Sequence, residues 1–208
     1  MTAFSQSNWD KTHAAHLAAR EQFYPKLWPN AVKIEYLDTT GATADLKYGI
    51  DVIVAVTSPD TKLRGPIKFF IQERFREPYY RKFGDATITE WNTVTNLPSE
   101  LHKIAAHIFV YGYYDPARNL ITEAVAIDVP RILHEIAKAN LKYSRSPRVT
   151  NDQTFIGIDF KELRRVNAIM HSTLHLSTNL ETLPDLVDDP HWENTLFGPM
   201  IRRRNTNG

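Results

Sequence analysis

Two successive segments in the first half of the chain constrain its fold more than any other feature. Residues 49–56 read Gly-Ile-Asp-Val-Ile-Val-Ala-Val, a β-branched apolar run with one carboxylate at its entrance. Residues 68–76 read Lys-Phe-Phe-Ile-Gln-Glu-Arg-Phe-Arg, a segment that begins apolar and becomes polar. A short loop with proline and glycine joins them, so the pattern predicts two neighbouring strands of one sheet.

The polar residues of these two strands predict a site. Because side chains alternate along a strand, Gln72, Arg74 and Arg76 share one face, and Glu73 points the other way. Asp51, at the entrance of the first strand, is predicted to lie beside Gln72 and Arg74. A carboxylate, an amide oxygen and a cation so placed suit a divalent metal ion acting on a phosphodiester. The alternatives are a turn or capping role for Asp51 and an edge strand with solvated charges.

Composition limits the class of protein. A chain of 208 residues with 42% hydrophobic residues is long enough for one domain, or one domain with a sizeable appendage. Its net charge of +1 gives no global cationic signal, so nucleic-acid binding needs a local basic patch. The chain has no cysteine, no signal-peptide core and no apolar run of membrane-spanning length. These features predict an intracellular, cytoplasmic protein with no membrane partner.

Periodicity and turn signals predict an alternation of helices and strands. Helices are predicted at residues 10–24, 99–107, 130–141 and 161–170. Strands are predicted at 32–37, 45–56, 68–76, 87–91, 108–114, 120–128 and 155–158. A hairpin turn is expected at 39–41, a loop at 145–148, and a partly irregular tail from 181 onward.

The motif and the order of elements together resemble the PD-(D/E)xK nuclease superfamily, in its Mrr-like branch where Gln replaces the second acid. That resemblance implies an α/β fold with a restriction-endonuclease-like mixed β-sheet flanked by helices, in an α-β-β-β-α-β order. It implies residues 1–130 as the nuclease core. Residues 131–208 are then a C-terminal extension packed on that core.

The resemblance also implies roles for particular residues. Asp51 and Gln72 are the expected ligands of Mg²⁺, with Mn²⁺ as a substitute, and Glu21 and Asp45 are further candidate ligands. Arg74 stands where the family has lysine. An arginine binds phosphate as a rigid fork but is a poor proton acceptor. Candidate nucleic-acid-binding residues are Arg76, Arg81, Lys82 and Lys103. Arg74, Arg76, Arg81 and Lys82 are expected to border one groove together with the 145–148 loop. Lys103 is also a candidate substitute for the missing lysine.

The expected function is therefore a Mg²⁺-dependent DNA endonuclease acting on double-stranded DNA. The resemblance leaves a homodimer open, since cutting both strands commonly needs two active sites. The alternative is a catalytically inactive nuclease-fold module that binds nucleic acid or serves in an assembly. A third class, a ligand-binding or purely structural α/β protein, also stays open. Metal-dependent cleavage separates the first hypothesis from the others, and salt-sensitive DNA binding without cleavage indicates the second.

Overall fold

The elements of the fold lie in residues 6–40, 42–60, 62–147 and 153–174, which the computed structural model describes. The helices are α1 (Gln6–Gln22), α2 (Tyr24–Leu27), α3 (Thr43–Tyr48), α4 (Glu100–Lys103), α5 (Val129–Ala137) and α6 (Phe160–Arg165), with a 3-10 helix at Pro78–Phe83. The strands are β1 (Lys33–Asp38), β2 (Val52–Thr57), β3 (Ile67–Arg76), β4 (Asp85–Asn92), β5 (Leu97–Pro98), β6 (Ile108–Asp115), β7 (Leu120–Asp128), β8 (Ser144–Pro147), β9 (Gln153–Asp159) and β10 (Ile169–Ser172).

A six-stranded mixed sheet forms the centre of the fold. Its strand order is β1-β2-β3-β6-β7-β10. Strands β3 and β6 run parallel, and the other neighbouring strands pair antiparallel. Along the chain α1, β1, β2, β3, α4 and β6 occur in the predicted α-β-β-β-α-β order, with α2, α3, the 3-10 helix, β4 and β5 inserted between them. The predicted α/β class, a mixed sheet flanked by helices, is confirmed.

A second, four-stranded sheet packs against one face of the main sheet. Its order is β5-β4-β9-β8, with all neighbours antiparallel. Apolar residues of β4 and β9 share one buried cluster with Tyr111 and Tyr113 of β6 and with α5 and α6. Both sheets combine strands from before and after residue 130, since β9 pairs with β4 and β10 pairs with β7.

The opposite face of the main sheet is covered by the N-terminal helices. Ala19, Phe23 and Tyr24 pack there on Val52, Ile71 and other apolar residues of the central strands. Strands β3 and β6 are therefore enclosed on both faces. This explains the uninterrupted burial of β6 from Ile108 to Tyr114, because a strand covered on both sides reads as a continuous apolar run.

The predicted hairpin at 39–41 and strand at 45–56 are partly wrong. Strands β1 and β2 do pair antiparallel, but helix α3 lies between them and β2 begins only at Val52. The helix ends at Gly49, which takes a left-handed conformation (φ 56°) and donates its N–H to Ala44 O and Asp45 O. A helix this short offers too few residues for its period to be distinguished from alternation. Gly41 lies outside the described residues.

Two predicted helices end earlier than expected. Helix α4 stops at Lys103, because Ile104 turns to an extended conformation and the N–H of His107 donates to Phe70 O of β3. Helix α6 stops at Arg165, and Asn167 has a positive φ of 55°. The chain then forms β10, where a helix to residue 170 was predicted. Hydrogen bonding to a neighbouring strand outweighed the local helical pattern in both places.

The other predicted elements are confirmed with shifted ends, apart from one loop. The strands predicted at 87–91 and 155–158 are β4 and β9, and the helix predicted at 130–141 is α5, which ends at Ala137. The loop predicted at 145–148 is wrong for residues 145–147, which belong to β8. Residue 148 and the tail from 181 lie outside the described residues. No helix in the described segments is long and apolar enough to cross a membrane.

Candidate active site

The predicted strand pair separates at Asp51 and Gln72. Val52 and Ile71 are register partners, and beyond them β3 continues alone beside β6. The backbone N–H of Asp51 donates to Ile71 O at 2.8 Å. Its carboxylate Oδ2 accepts the N–H of Glu73 at 2.6 Å. Asp51 therefore contacts the residues on both sides of Gln72, which places the predicted acid and amide at one fork in the sheet.

Asp51 is buried, with 6% of its surface exposed. Burial raises the pKa of its carboxyl to about 7. The hydrogen bond from the Glu73 N–H and the charge of His16 oppose that rise, while the carboxylates of Glu73 and Asp45 add to it. A carboxyl in such an acidic, buried environment is one that a bound cation would return to the ionised form.

The two faces of β3 carry the predicted alternation. Arg74 and Arg76 both reach Thr87 of β4, on the side of the second sheet. Glu73 reaches helices α1 and α2 on the opposite side. The prediction that Arg74 and Arg76 share a face from which Glu73 is absent is confirmed by these contacts.

On the α1 side, the Glu73 carboxylate has a partner on each oxygen. The hydroxyl of Tyr24 donates to Oε1 at 2.5 Å, and Nδ1 of His16 hydrogen-bonds Oε2. Burial alone would lower the pKa of His16, but the charge and hydrogen bond of Glu73 outweigh it and raise that pKa. Burial and the charge of Glu73 raise the pKa of Tyr24 well above its ordinary value. This group is a closed, satisfied network.

On the second-sheet side, the side-chain oxygen of Gln72 lacks a partner. Gln72 is 9% exposed, and its Oε1 is buried without a hydrogen-bond donor among the described residues. A Cβ placed on Gly49 would lie 2.9 Å from this oxygen and 3.5 Å from Ile104 Cα. Glycine at position 49 thus leaves the space into which the Gln72 oxygen points.

Arg74 makes an ion pair that the sequence did not predict. Its Nη2 donates to Glu100 Oε2 at 2.5 Å, and its Nη1 donates to Thr87 O at 3.1 Å. From the sequence alone, the partner to expect for Glu100 is Lys103, one helical turn further along the chain. No sequence pattern reveals the pairing, because it joins a strand to a separate four-residue helix.

The other predicted ligands lie on helices α1 and α3, and Lys103 lies on α4. Glu21 is exposed on α1, and Asp45 is half-buried on α3, from where its charge acts on Asp51. Lys103 Nζ donates to Leu46 O at 2.9 Å, at the end of α3. Within the described residues, no three His, Cys, Asp or Glu side chains are grouped so as to hold a metal ion. Amide oxygens such as that of Gln72 are further potential metal ligands.

Three of the predicted nucleic-acid-binding residues cluster around the 3-10 helix. The Arg76 guanidinium lies 5.1 Å from the ring centroid of Tyr80, and Lys82 Nζ lies 3.7 Å from that of Tyr79. Arg81 pairs with Glu123 at 2.7 Å.

The other two basic positions lie elsewhere. Arg145 pairs with Glu90 of the second sheet at 2.7 Å. Lys103 lies beside α3. The single groove predicted for Arg74, Arg76, Arg81, Lys82 and the 145–148 loop stays a prediction.

Comparison with known proteins adds little to this description. No protein-family profile and no curated protein sequence matches the chain. A solved structure of a nuclease from a fusselovirus is similar to it, with 12% sequence identity and a TM-score of 0.34. The similarity covers 80% of this chain and 95% of the viral nuclease. Because the TM-score is this low, the fold class rests on the strand order and register of the chain itself.

Proposed function

We propose that this protein is a divalent-cation-dependent nuclease that cleaves phosphodiester bonds in DNA at the Asp51–Gln72 fork. One observation carries the proposal. The Gln72 oxygen is buried, has no donor in the described segments and points into space left by Gly49. Native proteins rarely leave a buried polar oxygen unsatisfied without a reason such as an ion or a function.

The donor set fits Mg²⁺, the cation that the family resemblance implies. Carboxylate and amide oxygens are the ligands that hard divalent cations prefer. Asp51 would supply the carboxylate and Gln72 the amide oxygen. A Mg²⁺ ion held there would polarise a phosphate oxygen and lower the pKa of a bound water.

The neighbouring residues hold these two donors in place. The Glu73 N–H fixes the Asp51 carboxylate at 2.6 Å, and the enclosed strand β3 fixes the position of Gln72. Arg74 directs Nη1 and Nη2 to protein oxygens. The resemblance implies that Arg74 contacts the phosphate. We assign it instead to positioning the site.

Double-stranded DNA is the proposed substrate, with Arg76, Arg81 and Lys82 as backbone contacts. These residues lie at the end of β3 and on the following 3-10 helix, so they continue from the fork along the same strand. Arg76 lies over the ring of Tyr80 and Lys82 over that of Tyr79, and these contacts restrain two long cationic side chains.

Cleavage of linear and supercoiled duplex DNA in Mg²⁺ and in Mn²⁺ tests the proposal. Asp51→Asn should abolish cleavage, because the amide keeps the shape of the side chain but removes the negative charge that holds the cation. Asp60→Asn is the matched control, since it makes the same change in an exposed loop. A parent that cuts in neither metal, or an Asp51→Asn variant that cuts like the parent, would contradict the proposal.

The Arg74–Glu100 pair favours one second candidate function. With arginine in the lysine position and engaged by Glu100, the fold could serve as a DNA-binding module without catalysis. That hypothesis predicts duplex binding that weakens with salt, no cleavage in either metal, and no measurable Mn²⁺ affinity.

A further inference from the structure

The carboxylate of Glu100 is held in a fixed orientation by one of its oxygens. Oε2 accepts the Arg74 guanidinium at 2.5 Å, the Thr89 N–H at 3.1 Å and the Thr89 hydroxyl at 3.0 Å. Glu100 is 5% exposed, and its other oxygen, Oε1, has no donor among the described residues. Three donors on Oε2 fix the orientation of the carboxylate and therefore also the position of Oε1, which has no donor in the described residues.

Glu100 lies in the same turn of chain as Ile104, a residue that borders the space in front of the Gln72 oxygen. The Ile104 N–H donates to Glu100 O at 2.9 Å, which closes the turn of α4. Ile104 is also the residue that, with Gln72, borders the space at Gly49. Arg74 links the two positions, because it lies two residues after Gln72 on the same face of β3 and binds Glu100. Arg74 therefore places the Glu100 carboxylate on the same face of β3 as Gln72, so the two buried oxygens that lack donors in the described residues lie on one side of the sheet.

Leaving a carboxylate oxygen buried without a hydrogen bond is unfavourable. The Gln72 oxygen cannot supply that hydrogen bond, because it is also an acceptor. A cation is the partner that satisfies several acceptors together. A buried water molecule is the neutral alternative, since it can donate to two oxygens. The rigid fixation of Glu100 favours the cation, because a preorganised carboxylate is what a cation site requires and a bridging water does not.

We propose that Glu100 is a third oxygen donor for the divalent cation of this site, with Arg74 and Thr89 as its positioning residues. The inference rests on the proposed function and adds a ligand to it. It also gives Arg74 a role that lysine would fill less well, because the planar fork of arginine serves Glu100 and Thr87 O together.

Calorimetric titration of the full chain with MnCl₂, without DNA, tests the inference by binding alone. Glu100→Gln should lower Mn²⁺ affinity by about 10- to 100-fold or more, the range known for changes around metal ligands. Thr89→Val, which removes one donor to Oε2, should lower it less. Glu90→Gln is the matched control, since it removes one carboxylate charge from the same strand and breaks its pair with Arg145, away from Glu100 Oε1.

Thermal unfolding of each variant shows whether it is folded. If Glu100→Gln does not fold, Glu100→Asp is used in its place. The shorter side chain keeps the negative charge but moves the carboxylate away from the proposed cation, so Glu100→Asp should also lower Mn²⁺ affinity. Parent-like affinity in a folded Glu100 variant would overturn the inference.

The outcomes separate this inference from the proposed function. Loss of Mn²⁺ affinity in both Asp51→Asn and Glu100→Gln, with Glu90→Gln unchanged, supports both. Loss in Asp51→Asn alone overturns the role of Glu100 and leaves the proposed function standing. Loss in Glu100→Gln alone supports a cation at Glu100 and contradicts the Asp51 site. A parent that binds no Mn²⁺ overturns both, and a bridging water then accounts for the two oxygens.

Discussion

The two faces of strand β3 both carry buried polar side chains, but these side chains differ in whether their oxygens have hydrogen-bond partners. Toward α1, the Glu73 carboxylate receives a partner on each oxygen, from Tyr24 and His16. Toward the second sheet, Gln72 Oε1 and Glu100 Oε1 are buried with no donor in the described residues. The three side chains are buried to a similar degree, with Glu73 and Glu100 5% exposed and Gln72 9% exposed, so exposure does not explain the difference. The Glu73 carboxylate is satisfied by protein groups alone, and the oxygens of Gln72 and Glu100 are left without a donor in the described residues.

This contrast separates a stabilising network from a candidate binding site. Removing one member of a complete buried network should lower stability strongly, because its partners are left unpaired. Removing an oxygen that has no partner should leave stability unchanged or raise it, because a buried and unsatisfied group disappears. Function should respond in the opposite way. The following predictions test this contrast from the largest expected effect to the smallest.

Glu73→Leu should have the largest effect on stability. It should lower the free energy of unfolding by roughly 3–5 kcal/mol, the cost of breaking a buried charged pair by removing one partner. Tyr24→Phe should cost only about 1 kcal/mol, since it removes a single hydrogen bond. Urea unfolding measures both variants. If Glu73→Leu has the same free energy of unfolding as the parent, the network of Glu73 with Tyr24 and His16 does not stabilise the packing of α1 and α2 on the sheet.

Gln72→Leu is the neighbouring change on the other face, and it should reverse the pattern. Its free energy of unfolding should stay within about 1 kcal/mol of the parent, because the oxygen it removes has no hydrogen bond to lose. DNA cleavage should fall by roughly 100-fold or more, the upper range for disturbing a metal site. A variant as unstable as Glu73→Leu, or one that cleaves normally, would remove the distinction between the faces.

Gly49→Ala and Gly84→Ala form a matched pair. Both glycines have a positive φ, of 56° and 64°, so each alanine should cost about 1–2 kcal/mol of backbone strain. Only at Gly49 does the new Cβ meet Gln72 Oε1, whereas at Gly84 it meets no atom within 4 Å. Both variants should therefore lose similar stability, and only Gly49→Ala should lose Mn²⁺ affinity. Equal affinities in the two would show that the space at Gly49 is not part of a site.

Arg81→Ala should have the smallest effect, and only on DNA binding. If Arg81 contacts one phosphate, its loss should flatten the slope of log K against log salt by about 0.9. Arg118→Ala is the control, because Arg118 is exposed and pairs only locally with Asp115. Fluorescence anisotropy at several salt concentrations measures the slope. Equal slopes for Arg81→Ala and the parent would remove Arg81 from the interface.

The sequence predicted the parts of this molecule that depend on local alternation. The strand pair, the face shared by Arg74 and Arg76, and the position of Asp51 at the fork all follow from a period of two and one loop. Glu73 was set aside as facing away from the site, and its network with His16 and Tyr24 was not foreseen. That network joins α1 and α2 to β3, and nothing in the local pattern indicates it.

What the sequence did not predict depends on long-range pairing. The second sheet joins β4 to β9 across much of the chain, and β10 forms where a helical pattern continues, because β7 offers a free edge. Glu100, the first residue of α4, pairs with Arg74 of β3, which lies 26 residues earlier in the chain. In each case a hydrogen bond between distant segments outweighs a local preference, and such bonds have no signature in one sequence.

A crystal soaked in Mn²⁺ and measured for anomalous scattering tests the central claim most directly. The account predicts one strong peak at the fork, about 2–2.5 Å from Gln72 Oε1 and from an Asp51 carboxylate oxygen. A peak that also reaches Glu100 Oε1 would place all three donors in one site. A peak on the α1 side at Glu73, or no peak at the fork at saturating Mn²⁺, would contradict the assignment of the second-sheet face as the binding face.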